Sequence, residues 1–381
     1  MKELPAATVR KLDHFGRSLS EILVHSRAAP GKSLRWTIIA NPKAGGFTIG
    51  RRWKRHERAL VETMKAAAAI PRREAEPSRY ARSAGGRGVT GLCLTTGPGH
   101  ALAMTDSLCE DMAGESGTFH LIITAGGDGT SLEVLEALYQ APADIRARCA
   151  VLRLPLGTGN DGAEAWELED ALRFLTVPTR VDFTRGLRLS TARRDTWPEN
   201  GVFPGKPLLA FNVLSVGLDA FVTHMTNRMK GSLPGDSYKL WVDIAALLYD
   251  RIYRVGSMEL AAYCGDGTEP RHIRERMLLC AMGAGGRRSY GSHKMILPDE
   301  RNVCVVRQMP LLRKIALKGL FTTGEHIHTA EAVLFNARRV ILSGEYPILA
   351  QMDGETVLLE KADFPAVIEL TEALIPVLRK I

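Results

Sequence analysis

One stretch, TAGGDGTSLEVLEAL at 124–138, constrains the fold more than any other part of the sequence. It follows the apolar, strand-like run FHLII, places three glycines around one acid, Asp128, and continues into apolar residues at helical spacing. A hairpin built on the Asp-Gly turn would need a returning strand, and SLEVLEAL has helical periodicity instead. Glycine-rich turns between a strand and a helix expose amides that bind phosphate, aided by the positive end of the helix. The stretch therefore predicts a strand, a phosphate-binding loop and a helix, and it leaves the carboxylate to be explained.

Similar units fill the first half of the chain. Strand patterns at 36–40 (WTIIA), 89–96 (VTGLCLTT) and 149–157 (CAVLRLPLG) also alternate with helical patterns. Strands that are apolar almost throughout indicate a parallel sheet covered on both faces. After about residue 178, short β-type runs separated by turns indicate a second, mainly antiparallel domain.

Three segments stand apart from this alternation. Residues 8–24 carry an apolar stripe with basic residues between, for which packing against the body of the protein or a second subunit, as in a homodimer, is favoured over a membrane surface. Residues 188–207 are polar and rich in turn formers, which predicts a surface insertion. Residues 237–255 form a helical pattern among the later strands.

Charge and composition limit the partners. The net charge of +8 and pI near 9.2 favour an anionic partner: a nucleotide, an anionic membrane surface or nucleic acid. No apolar stretch approaches the roughly 18 residues that span a bilayer, and the N-terminus lacks a signal-peptide apolar segment. We expect a cytoplasmic protein with only peripheral membrane contact. The six cysteines lack metal-ligand spacing and are expected to be reduced and buried: Cys93, Cys109, Cys149, Cys264, Cys280 and Cys304.

Three glycine-bearing loops each follow a predicted strand: NPKAGG (41–46), GGDGT (126–130) and LGTGND (156–161). In a parallel sheet these loops converge on one edge, where their amides and the hydroxyls of Thr130 and Thr158 can surround a triphosphate. Helix capping by Thr130, or by the residues after Thr158, is the alternative role. Neither a G-x-G-x-x-G fingerprint nor a Walker A motif is present, which disfavours a nicotinamide enzyme and a P-loop ATPase.

The motifs NPKAGG, TTGPGHA, GGDGT, PLGTGND, FNVLSVGLDA and MDGE occur in the order seen in the diacylglycerol kinase catalytic family, which the chain resembles over about residues 35–381 apart from the 188–207 insertion. That family includes bacterial soluble lipid kinases and is similar to sphingosine kinases. The resemblance implies a fold like that of NAD kinases: an α/β ATP-binding domain and a β-sandwich, with the active site in the cleft between them. The expected divisions are an N-terminal helical extension (1–33), the ATP-binding domain (34–179 with 370–381) and the acceptor-binding β-sandwich (180–369).

The resemblance also implies site residues. Because a carboxylate repels a triphosphate unless a cation intervenes, Asp128 is expected to meet the phosphates through Mg²⁺ or its waters. Asn160 and Asp161 are expected to shape the loop beside the acceptor. The residues expected at the ATP site are Asn41, Pro42, Lys43, Ala44, Gly45, Thr96, Gly126, Gly127, Asp128, Gly129, Thr130, Gly157, Thr158, Gly159, Asn160 and Asp161.

Two further sites follow from the family pattern. The MDGE motif supplies an acid to take the acceptor proton; Glu355 is favoured, with Asp353 assisting, and the reverse assignment stays open. A second, structural Mg²⁺ would be held by the Asp299 side chain and the carbonyls of Ile296 and Arg301. Glu300 stands where the family usually has glycine, so the required backbone is costlier here.

The predicted activity is ATP-dependent phosphorylation of diacylglycerol to phosphatidate, or of another lipid alcohol such as a sphingoid base. An NAD kinase shares GGDGT but not the other loops, and a non-catalytic regulator gains little from retained acids. No recognised motif favours nucleic acid. The arginine-rich stretches 51–58, 71–82 and 185–194 are candidates for holding the enzyme on the inner face of the membrane.

Overall fold

The computed structural model describes residues 4–84, 90–115, 117–157, 159–193, 208–229, 249–253, 255–265, 269–290 and 294–381. The chain divides into two compact units. Unit 1 comprises Met1–Thr184 and Ala373–Ile381, and unit 2 comprises Arg185–Glu372.

Unit 1 is an α/β unit. Its strands are β1 (Ser33–Ala40), β2 (Ala75–Pro77), β3 (Leu92–Leu94), β4 (Thr118–Gly126), β5 (Cys149–Pro155), β6 (Thr179–Thr184) and, after unit 2 in the chain, β20 (Ile375–Lys380). Its helices are α1 (Ala6–Leu23), α2 (Gly45–Thr48), α3 (Gly50–Ala67), α4 (Arg79–Ala84), α5 (His100–Ala113), α6 (Asp128–Gln140), α7 (Ala143–Arg146) and α8 (Leu168–Thr176).

The sheet of unit 1 has the order β2-β1-β4-β5-β20-β6, with β3 also paired to β1. Strands β1 to β5 and β20 run parallel, and only β6 is antiparallel, against β20. Every residue of β5 is buried, as are all residues of β4 except Thr118. This burial explains why these strands read as continuous apolar runs in the sequence.

Helix α1 packs into the core of unit 1. Leu12, Phe15 and Leu19 have no exposed surface, and the Phe15 ring meets the Phe47 ring edge-on at 5.2 Å. Packing against the body of the protein, one of the two arrangements favoured by the sequence, is therefore the one observed. The buried residues of the apolar stripe 8–24 therefore pack inside unit 1.

Unit 2 is mainly antiparallel. Its strands are β7 (Leu187–Thr191), β8 (Leu208–Ala210), β9 (Val213–Gly217), β10 (Ser257–Tyr263), β11 (Arg271–Gly283), β12 (Arg288–Tyr290), β13 (Lys294–Leu297), β14 (Val303–Arg307), β15 (Ala332–Phe335), β16 (Arg339–Gly344), β17 (Ile348–Met352), β18 (Glu355–Leu359) and β19 (Ala366–Leu370). Its helices are α9 (Leu218–Met229), α10 (Tyr249–Ile252) and α11 (Leu311–Thr323), with 3₁₀ turns at Glu325–His328 and Lys361–Asp363.

Among the described strands of unit 2, one large sheet follows the order β18-β17-β9-β11-β10-β16-β19-β7-β8, with β14 and β15 attached through β11. The long strand β11 joins its two parts, since its first half pairs with β10 and its second half with β9 and β14. The predicted fold class, a parallel-sheet α/β domain followed by a mainly antiparallel β domain, is confirmed.

The prediction of a surface insertion is wrong in part. The supposed insertion 188–207 begins inside strand β7, which pairs with β19 and β8, so residues 188–191 belong to the sheet. Alternation of polar and apolar residues in LRLST marks a strand with one buried face, and the turn formers after it concealed that signal. Residues 194–207 lie outside the described residues, as does the predicted helix 237–255 apart from α10 and its immediate surroundings.

The cysteines are free, as expected, but not all are buried. Cys93, Cys149, Cys280 and Cys304 are buried, Cys109 is partly so, and Cys264 is exposed, so the burial prediction is wrong for Cys264. Burial raises the pKa of the Cys93 and Cys280 thiols to about 12, which leaves them inert at neutral pH. None of the helices in the described ranges combines the length and apolar character needed to cross a bilayer.

Candidate active site

The three glycine loops come together at one edge of the unit 1 sheet. They follow β1, β4 and β5, which are parallel neighbours and so end on the same side. The Asn41 amide donates to the carbonyl of Ala125 at 3.0 Å, at the end of β4. The Gly46 amide donates to the carbonyl of Leu156 at 2.8 Å, just beyond β5. The first loop is thus hydrogen-bonded to the start of both of the others.

The second and third loops touch backbone to backbone. A Cβ placed on Gly157 would lie 2.4 Å from the Cα of Gly127, a distance that real atoms do not reach. No side chain fits between the two loops at this point, which explains why glycine stands at both positions.

Asp128 joins the same two loops through its carboxylate. It is half-buried at the start of α6, where the helix end favours a negative charge. One oxygen accepts the Asn160 amide at 3.0 Å and the other accepts the Gly162 amide at 3.3 Å. A Cβ on Gly159 would lie 2.7 Å from Asp128 Oδ2 and 3.2 Å from Asp161 Oδ2. Two carboxylates therefore flank Gly159.

This arrangement fits a magnesium nucleotide. Mg²⁺ usually takes one or two carboxylates, with phosphate oxygens and water completing its shell, and a carboxylate has lone pairs beyond the two that the amides use. In the part of the chain that the structure describes, no three His, Cys, Asp or Glu side chains form a metal site on their own. Asp128 and Asp161 would hold the ion together with the phosphates. Thr158, expected at the same site, lies outside the described residues.

Thr130 does not cap helix α6. The N-cap residue is Gly127, and no side chain is hydrogen-bonded to the helix start. Thr130 is buried instead beneath the loop, where a Cβ on Gly126 would lie 2.6 Å from its hydroxyl oxygen. The capping alternative raised by the sequence is therefore wrong for this residue.

Asn160 and Asp161 do not cap a helix either, because α8 begins well beyond them with Glu167 as its N-cap residue. Asn160 stabilises its own loop: its side-chain oxygen accepts the Gly157 amide at 2.7 Å, and its φ of 60° is one that asparagine tolerates. Among the remaining predicted residues, Lys43 is exposed and its amide donates to the Asn41 side chain at 2.9 Å. Pro42 and Ala44 are buried, and Gly45 and Gly129 are at least partly exposed.

A fourth loop, containing Thr96, precedes α5. Thr96 is exposed, and both its amide and its hydroxyl lie about 3 Å from His100 Nδ1 (3.0 and 2.9 Å). The carboxylate of Glu133 accepts the amides of Gly99 at 2.7 Å and Ala101 at 2.9 Å. Glu133 therefore satisfies the start of α5 and holds the Thr96 loop against α6.

Sequence reasoning missed Glu133 and two other contributors. Arg153 and Glu164 form a buried pair, with Nη2 2.8 Å from Oε1, that attaches the end of the third loop to β5. Arg52 on α3 donates from Nη1 to the carbonyl of Gly157 at 3.2 Å. The available signal for Glu133 was an acid on the same helix as Asp128, five residues further on. The contacts of Arg52 and Arg153 join residues that are separated in the sequence and gave no such signal.

The two acids of the MDGE motif have different surroundings within unit 2. Asp353 is 9% exposed, and its carboxylate accepts the amides of three consecutive residues, Phe211, Asn212 and Val213. Its φ is 45°. Glu355 is exposed at the start of β18. Asp353 is thus committed to the backbone between β8 and β9, and Glu355 is the acid available for chemistry.

The predicted structural metal site is occupied by the protein's own groups. Arg301 forms a bidentate ion pair with Asp299, and the Arg301 side chain holds the pKa of that carboxyl below its ordinary value. The Ile296 carbonyl lies 3.2 Å from His326 Nε2. A cation already neutralises Asp299, so this arrangement does not fit a bound Mg²⁺.

Comparisons with known proteins bear on the first unit's sequence and on the fold. Residues 35–180 match the family model of the diacylglycerol kinase catalytic domain. The crystal structure of a diacylglycerol kinase from Bacillus anthracis strain Sterne is 16% identical, with a TM-score of 0.50 over 90% of this chain and 96% of that one. Two structures of candidate diacylglycerol kinases from the same strain cover the same shares, with TM-scores of 0.54 and 0.53 at 17% and 18% identity. These structures support the fold alone. No curated protein matches the sequence.

Proposed function

We propose that this chain, whose residues 35–180 match the family model of the diacylglycerol kinase catalytic domain, transfers the γ-phosphoryl group of ATP to the hydroxyl of a lipid alcohol. Diacylglycerol is the first-choice acceptor, and phosphatidate is then the product. The observation that carries the proposal is the junction at Asp128, where one carboxylate links two glycine loops at the edge of a parallel sheet.

The glycine loops bind the nucleotide. The amides of the first and second loops lie at the carboxyl ends of adjacent strands, where ligands of parallel sheets bind. Asp128 and Asp161 would hold a magnesium ion, which would supply neutralisation of charge on the transferring phosphoryl group. Glu133 keeps the Thr96 loop in place beside them.

Glu355 takes the proton of the acceptor hydroxyl. It is exposed, and within the described residues no hydrogen bond or ion pair engages its carboxylate. Asp353 cannot share this role without giving up the three amides that it accepts. Its function is to hold the turn from which Glu355 projects.

In this proposal the reaction takes place at the inner face of the membrane, because the acceptor is a lipid. The net charge of +8 supports contact with an anionic surface. Such contact is peripheral in this proposal.

The test is a transfer assay. The purified protein is incubated with labelled ATP, Mg²⁺ and separate acceptors: diacylglycerol, a sphingoid base and NAD. We expect label in phosphatidate. We also expect the transfer activity of Glu355→Gln to be about 10²-fold or more below that of the wild type, the usual effect of removing a general base. Glu345→Gln, which changes another exposed glutamate of unit 2, serves as the matched control and retains activity. Label only in NADP, or full activity in Glu355→Gln, would contradict the proposal.

A further inference from the structure

Arg52 lies where the first and third glycine loops meet. Its Nη1 donates to the carbonyl of Gly157 at 3.2 Å. A Cβ on Gly45 would lie 2.8 Å from the same nitrogen, so the guanidinium is packed against the backbone of the first loop. It therefore contacts backbone from two of the loops that come together at the sheet edge.

The positive charge of Arg52 has no carboxylate partner in the part of the chain that the structure describes. Among the described residues no carboxylate forms an ion pair with it, whereas its neighbour Arg55 lies 3.4 Å from Glu167. The one hydrogen bond described for the guanidinium uses one of five N–H groups.

The loops themselves need this charge. Asp128 and Asp161 both flank Gly159 in the third loop, so the negative charges of these two carboxylates repel a polyphosphate there. An arginine offers two parallel N–H groups that match phosphate oxygens, and it is only weakly hydrated, which lowers the cost of burying it. Lys43 of the first loop is exposed and carries a single point charge without that fork.

We propose that Arg52 is a phosphate-binding residue of the nucleotide site. Its guanidinium keeps the Gly157 carbonyl as one partner and presents its remaining N–H groups to the polyphosphate. This assigns to the nucleotide one member of the arginine-rich stretch 51–58. The inference rests on the proposed function for the identity of the anion, and the experiment below separates the two.

The experiment measures binding by calorimetry, with no acceptor lipid present. The ligands are ATP with Mg²⁺, inorganic tripolyphosphate and adenosine, and the variants are Arg52→Gln and Arg52→Lys. Arg51→Gln is the matched control, because it removes the same charge from the adjacent, exposed position of the same helix. Thermal unfolding is recorded for every variant.

We expect Arg52→Gln to weaken ATP and tripolyphosphate about 10- to 100-fold, the effect of losing one hydrogen bond between charged groups. Arg52→Lys should recover part of this loss. Arg51→Gln should bind ATP and tripolyphosphate as the wild type does, and Arg52→Gln should bind adenosine as the wild type does. An equal loss for ATP and adenosine would overturn the inference, since it would mean that Arg52 only shapes the loops. Unchanged affinities in Arg52→Gln would also overturn it.

The outcomes distinguish this inference from the proposed function. Arg52-dependent binding of ATP in a protein that phosphorylates no lipid alcohol would support the inference and remove the proposed function. Lipid phosphorylation with an unaltered KM for ATP in Arg52→Gln would support the proposed function and overturn the inference. A wild-type protein that binds neither ATP nor tripolyphosphate would overturn both.

Discussion

Replacing Asp353 with asparagine should destabilise unit 2 while keeping the backbone conformation. Asparagine tolerates the φ of 45° observed at this position, so the substitution isolates the carboxylate. One oxygen accepts the Val213 amide at 2.9 Å and shares the Asn212 amide with the other oxygen, which also accepts Phe211. In asparagine a side-chain NH₂ group replaces one of the two oxygens. This group is a donor, so it cannot accept the hydrogen bond of the backbone amide that it faces.

The expected cost has two parts. Loss of a hydrogen bond to a charged acceptor contributes about 1.5–3 kcal/mol, and the buried amide left without an acceptor contributes about 1–3 kcal/mol. We therefore expect Asp353→Asn to lower the free energy of unfolding by about 3–5 kcal/mol, a large fraction of the ~5–15 kcal/mol typical of a domain.

Urea unfolding followed by circular dichroism measures this change directly. Glu355→Gln is the matched control: its exposed side chain should change the unfolding free energy by less than about 0.5 kcal/mol, although activity is lost. If Asp353→Asn were as stable as wild type, or if Glu355→Gln were the destabilised variant, the assignment of roles within MDGE would be refuted.

Three further predictions concern other parts of the structure. Gly157→Ala should weaken ATP binding and lower the melting temperature, because the new Cβ would collide with Gly127. Gly114→Ala, at the end of α5, should change neither quantity. Equal effects of the two substitutions would contradict the loop contact. The Arg193 side chain lowers the pKa of Asp363 from 3.8 to about 2, so this pair should stabilise the fold fully above pH 3.8 and lose its effect as the pH falls towards 2. Arg193→Gln should flatten acid unfolding in that window, and an unchanged profile would be evidence against the pair. Removing Mg²⁺ with EDTA should leave the melting temperature unaltered because Arg301 already neutralises Asp299. A melting temperature that falls with EDTA and recovers when Mg²⁺ is added would instead support the second metal site.

The sequence predicted those features that depend on local pattern. Continuous apolar runs identified β1, β4 and β5, and the glycines after them located the loops that the structure brings to one edge. The fold class is confirmed, and residues 35–180 match the family model of the diacylglycerol kinase catalytic domain. The individual roles of the site residues stay predictions, to be decided by the variants above.

Features that depend on contacts between distant segments escaped sequence reasoning. The LRLST strand was assigned to a loop because its partner, β19, lies almost 180 residues further along the chain and gives no local signal. The Asp299 site was predicted from a motif, and the competing Arg301 could be weighed only once its side chain was placed. Asp353 and Glu355 are two residues apart, and only the fold around the β8–β9 junction separates a buried acceptor of amides from an exposed acid.

Strand β20 has a consequence for how the protein is made. It lies between β5 and β6, yet in the chain it follows the whole of unit 2. During translation the ribosome must therefore release all of unit 2 before the first sheet receives β20, so β6 lacks its neighbouring strand until then. Until then the nascent chain carries an open sheet edge, the kind of surface that chaperones shield from other polypeptides.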